Sequence, residues 1–109
     1  MIDRKRINAF VEEVARQFQP DRVVLFGSHC YGQPRADSDV DLLVIMPHEG
    51  HEAIQAAEIR KRIRAGFPMD LIVRSPGEIR RRMEMHDSFI TEILERGETL
   101  YDGHNARVG

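Results

Sequence analysis

An α/β layered sheet is the fold class this sequence predicts, and three observations predict it. Apolar runs at 22–26, 40–46 and 69–73 have strand length and a β-branched, aliphatic composition. Segments with apolar residues at helical spacing lie before, between and after them. Runs and helical segments alternate along the chain, the order that stacks helices on a sheet.

The elements follow in order. Ile7, Phe10, Val11, Val14 and Phe18 recur at helical spacing and predict an amphipathic helix over 3–19, ended by Pro20-Asp21. Residues 22–26 form a short strand, and Ser28 to Tyr31 a single helical turn. A polar loop with Pro34 leads into 40–46, an almost unbroken apolar run of the kind expected in a central strand covered on both faces. Pro47 stops it. A second helix over 52–64 carries Ile54, Ala57 and Ile63 on one side. Gly66 and Pro68 break the chain before the strand 69–73. Ser75-Pro76-Gly77-Glu78 has the capping-box form with proline in the first helical position. The helix it starts runs toward Arg96, with a break near His86-Asp87, and Gly97 ends it. Thr99 to Tyr101 adds an edge strand. The expected organisation is one domain over 1–102 and a loose tail over 103–109.

Composition excludes several function classes. The chain has 109 residues and a formal net charge of −2, which argues against a dedicated duplex-DNA binder. Charged residues make up 31% and hydrophobic residues 41%, ordinary values for a globular protein, and no apolar run reaches the length of a membrane span. The N-terminus lacks the apolar segment of a signal peptide. One cysteine, Cys30, excludes an internal disulfide, and the cytoplasm is the default location.

The chemistry concentrates in Leu25-Phe26-Gly27-Ser28-His29-Cys30-Tyr31-Gly32 and Ser38-Asp39-Val40-Asp41. Gly27 allows a tight turn and a close approach to a ligand. Ser28 stands where a helix can start, so its hydroxyl and the first N–H groups can meet a phosphate. Asp39 and Asp41 lead into a strand, where residues two apart share a side. Two carboxylates beside a phosphate-binding turn suit Mg²⁺ shared with substrate phosphates.

Gly27-Ser28, ten intervening residues and Asp39-x-Asp41 resemble the signature of the minimal nucleotidyltransferases in the DNA polymerase β-like superfamily, the MNT domain proteins. The resemblance runs from the first helix to Tyr101. It implies a small mixed β-sheet with helices packed on one side, the polymerase β-like palm. It also implies a third acidic residue on the strand next to Asp39-x-Asp41, a position Asp70 matches. Asp70 would then help hold a second metal and take a proton from the attacking hydroxyl; otherwise it is an edge-strand aspartate facing water.

The implied reaction is Mg²⁺-dependent transfer of a nucleoside monophosphate, AMP from ATP in the leading reading, to a hydroxyl acceptor. Asp39, Asp41 and Asp70 are the expected catalytic and metal-binding residues. Gly27, Ser28 and Ser38 are the expected nucleotide-binding residues, with Ser38 either supporting Asp39 or touching the triphosphate. Similar minimal proteins are antitoxins whose partner is a helical HEPN protein, often a ribonuclease toxin, and some transfer AMP to a tyrosine on it. The alternatives are a stoichiometric masking antitoxin or a small-molecule nucleotidyltransferase.

The chain departs from many minimal members in lacking a basic residue directly after Gly-Ser. His29 is either a phosphate contact or a solvated first-turn residue, and Arg35 is a second candidate contact. Cys30 and Tyr31 pack or face water. His48 and His51 lie in a loop without a third ligand. Arg80-Arg81-Arg82, with Arg74 nearby, reads as a solvated face or the rim of a partner contact. Met83, Met85, Phe89, Ile90, Ile93 and Leu94 are mostly expected core, with Met83, Phe89 and Ile93 as candidate partner contacts. A chain this short leaves acceptor choice to a hetero-oligomeric partner or to a homodimer.

Overall fold

Capping side chains set where the helices begin. Asp3 accepts from the Arg6 N–H at the start of α1 (Arg4–Phe18), and Ser75 accepts from the Glu78 N–H at the start of α4 (Pro76–Glu84). Asp87 accepts from the Ile90 N–H to start α5 (Ser88–Arg96). His51, read from the sequence as a loop residue, is the cap of α3 (Glu52–Arg62): its Nδ1 accepts from the Ala53 N–H at 3.1 Å. The Ser75 cap is half of a capping box, because Glu78 turns to Arg81 and Arg82 instead of reaching back. The predicted break after α4 falls at His86, whose φ of 58° is left-handed.

The structure is a computed structural model that describes residues 2–35 and 37–104. The remaining elements are β1 (Arg22–Phe26), the single turn α2 (Ser28–Tyr31), β2 (Val40–Ile45), β3 (Met69–Arg74) and β4 (Glu98–Asp102). They form one four-stranded sheet in the order β3-β2-β1-β4. Strand β1 runs antiparallel to β2 and β4, while β2 and β3 are parallel across the α3 crossover. The sheet is therefore mixed, as the resemblance implied. Of the expected tail, Gly103 donates its N–H to Asp21 O at 2.8 Å, and 105–109 lie outside the described residues.

Helices cover both faces, which corrects the expectation of one-sided packing. On one face, Ile7, Phe10, Val11 and Val14 of α1 and Ile59 of α3 pack on Val23, Leu25, Val40, Leu42, Val44, Leu71 and Val73. On the other, Ile79 of α4 and Ile90 and Ile93 of α5 pack on Val24, Phe26, Leu43 and Ile45. The reason lies in the strands. β1 and β2 are apolar at both odd and even positions, so neither face can be left to water without exposing aliphatic surface at about 25 cal/mol per Å².

Ile93 is 1% exposed and belongs to this second core, so it is not available as a partner contact. Met83, Met85 and Phe89 do reach the surface. Arg82 is held by Glu78 at 2.7 Å and Asp87 at 3.1 Å, tying α4 to the cap of α5, and Arg81 also pairs with Glu78. The arginine run is thus largely neutralised within the fold. No helix among the described residues is long and apolar enough to cross a membrane.

Candidate functional site

The acidic residues stand on the α4/α5 face of the sheet, at the end where β1 finishes and β2 and β3 begin. Alternation places Asp41 on the same face as Leu43 and Ile45, which belong to the second core. The same rule puts Asp70 beside Ile72. Parallel pairing then sets Asp41 and Asp70 directly in register as neighbours on adjacent strands. Asp39 lies just before β2, on the exposed approach to it. Asp70 is exposed on the edge strand β3, and Asp41 is half-buried.

Electrostatics register this arrangement at Asp41. Burial holds its carboxyl above the ordinary aspartate value, and the charges of Asp70 and then Asp39 push it further the same way. His29 acts in the opposite sense. No arginine or lysine forms an ion pair with Asp39, Asp41 or Asp70 among the described residues. Like charges facing one another without a counter-ion repel, and among the described residues no three acidic, histidine or cysteine side chains are gathered into a ready ligand cluster. The donor chemistry nonetheless fits a hard divalent cation: carboxylate oxygens on two adjacent strands and at the entrance to one of them, open to solvent on one side.

Gly27 follows Phe26, the residue of β1 that pairs with Asp41. Its φ is 76°, a left-handed value that favours glycine. A Cβ here would be driven into Asp41 Oδ2 and would lie 3.0 Å from Asp41 Cγ. The glycine therefore lets the backbone turn come up against the carboxylate. Cys30 and Tyr31 both donate N–H groups to Gly27 O at 3.0 Å, closing the α2 turn. The N–H groups of Ser28 and His29 precede these bonds at its open end, beside the Ser28 hydroxyl.

His29 and Ser38 shape the loop between the turn and Asp39. His29 Nε2 lies 3.1 Å from Ser38 O, so the imidazole ties α2 to the residue before Asp39. Ser38 Oγ accepts the Arg35 N–H at 2.8 Å, and the Ser38 N–H donates to Arg35 O at 3.1 Å. Ser38 thus closes the loop on Arg35. Arg35 stays exposed beside it. Cys30 and Tyr31 pack: Cys30 Sγ lies 3.7 Å from Arg96 O, and the Arg96 guanidinium sits 4.3 Å from the Tyr31 ring centre.

Sequence reasoning missed one neighbour of the site. Phe89 at the start of α5 packs edge-on against Phe26, with ring centres 5.9 Å apart. Its position two residues after the Asp87 cap was a signal for a helix start, but nothing in the spacing showed that α5 starts against Phe26, the residue that pairs with Asp41. A groove of about 870 Å³ between α1 and β4 is lined by residues such as Asn8, Val11 and Leu100 and includes none of the acidic three.

Comparison with known proteins agrees with this geometry. The chain resembles a crystallised protein from Sulfolobus solfataricus, titled a "putative nucleotidyltransferase", with a TM-score of 0.64 at 25% sequence identity; the match covers 90% of this chain and 78% of that one. No curated protein matches the chain. A family model described as "Nucleotidyltransferase domain" matches residues 7–99, which include every element from α1 into β4. The chain therefore belongs to the nucleotidyltransferase domain family.

Proposed function

We propose that this protein is a Mg²⁺-dependent nucleotidyltransferase that moves AMP from ATP to a hydroxyl, a tyrosine of a HEPN-type toxin partner, in an antitoxin role. The observation that carries the catalytic part is the register of Asp41 with Asp70 beside the left-handed Gly27 turn. The partner and the acceptor rest on the likeness of the sequence to minimal antitoxin nucleotidyltransferases.

Each residue then has a stated task. The Gly27-Ser28 turn receives the β- and γ-phosphates on backbone N–H groups and the Ser28 hydroxyl. Gly27 keeps that turn against Asp41. Asp39 and Asp41, joined by Asp70, would hold Mg²⁺, which neutralises phosphate charge when bound. Asp70, exposed at the sheet edge, accepts the proton of the incoming hydroxyl. The acceptor oxygen forms a bond to the α-phosphorus, the bond from that phosphorus to the bridging oxygen breaks, and pyrophosphate leaves with the electron pair. His29 and Ser38 fix the loop that presents Asp39.

A masking antitoxin that binds without catalysis is the second reading, favoured by the exposed Met83, Met85 and Phe89 at the α4–α5 junction. Incubation with each α-labelled nucleoside triphosphate, Mg²⁺ and the purified HEPN partner, followed by intact-mass measurement of both chains, separates the two. A mass gain of one AMP on the partner is expected. A stable complex that gains no nucleotide mass overturns catalysis in favour of masking.

A further inference from the structure

We infer that Phe89 is the stacking wall for the base of the bound nucleoside triphosphate. The inference rests on the nucleotidyl-transfer reading and adds a base contact that the acidic residues and the Gly27 turn do not supply. Those groups address phosphate, and none of them touches a base.

Phe89 is 48% exposed, whereas the Phe26 ring it packs against is 6% exposed. Phe26 is the register partner of Asp41 and the residue before Gly27. The exposed aromatic surface therefore stands one ring away from the acidic residue and the phosphate turn. A nucleotide with its triphosphate on Ser28 has its base within reach of that ring.

The ring is also held firmly, which a stacking surface requires. Phe26 fixes its edge, and the Asp87 cap with its Arg82 partner fixes the helix turn that carries it. An aromatic ring with a free face stacks on a base and tolerates any of them, since each has a π-face. Phe89 then strengthens nucleotide binding with little choice between purines.

Calorimetry with Mg²⁺ and two probes, ATP and inorganic tripolyphosphate, tests this without any acceptor present. Phe89→Leu keeps apolar volume over Phe26 but offers no ring, while Phe89→Tyr keeps the ring. Leucine is expected to weaken ATP binding about tenfold and to leave tripolyphosphate binding unchanged. Tyrosine is expected to restore ATP binding. Unchanged ATP affinity in Phe89→Leu, or an equal loss for both probes, overturns the assignment. Wild-type protein that binds neither probe overturns the nucleotide-site reading itself, and this inference with it.

Discussion

The two faces of the sheet divide the work. The face under α1 and α3 is apolar along β2, with Val40, Leu42 and Val44 all fully buried. The face under α4 and α5 takes the alternate residues of the same strand, and there Leu43 and Ile45 are buried while Asp41 stands at the open end. One strand thus serves a core on one side and a core plus an acidic site on the other. Both faces share apolar residues that hold the sheet, and the acidic residues gather at one end of one of them.

The largest expected effect breaks the acidic end alone. Asp70→Asn should lower nucleotidyl transfer about 10²–10⁴-fold through loss of the proton acceptor, and Asp41→Asn at least as much, with far-ultraviolet circular dichroism unchanged in both. Label-transfer rates beside folding spectra check this; full activity in either variant removes that residue from the site. Leu42→Ala and Leu43→Ala sharpen the comparison next. Both side chains are fully buried, so each should lower stability by about 2–5 kcal/mol in urea unfolding. Measured well below both midpoints, only Leu43→Ala, on the face of Asp41, should also alter the transfer rate.

Gly27→Ala should have a smaller effect. It forces a side chain onto a left-handed backbone and against Asp41, and nucleotide affinity should fall about tenfold or more through misplacement of the turn. Calorimetric titration reads that loss, and unchanged affinity would free Gly27 of its assigned role. The smallest effect is on stability. Asp41 has a raised carboxyl value, so the native state disfavours its charged form and the penalty is present above that value. Asp41→Asn should raise the thermal midpoint by a few degrees at pH 7 without metal. The gain should fade as pH falls through the carboxylate range, where the wild-type side chain becomes neutral.

Much of this was legible in the sequence, and the failures share a cause. Strand and helix positions followed from periodicity because β1, β2 and α1 carry strong patterns. The acidic face of Asp41 followed from alternation. The unbroken apolar run of 40–46 already called for cover on both faces; the one-sided layering came from the family likeness, and the strand pattern was the better guide. Ile93 was misplaced because α5 is apolar enough that spacing alone cannot say which residues point inward. The register of Asp41 on Asp70 and the contact of Phe89 with Phe26 are pairings between distant segments, and a period within one segment carries no information about its neighbour.

Strand β4 closes one side of the sheet and leaves an edge there. A second copy could extend the sheet by laying its own β4 antiparallel along that edge. Centred on Leu100, such a pairing would bring Glu98 of each copy opposite Asp102 of the other. Glu98 carries its Arg4 partner, 2.9 Å away, into that junction, so the pairing would set an ion pair and not a bare carboxylate against the other copy. Any such extension is confined to a five-residue strand at the edge opposite the one that carries Asp70.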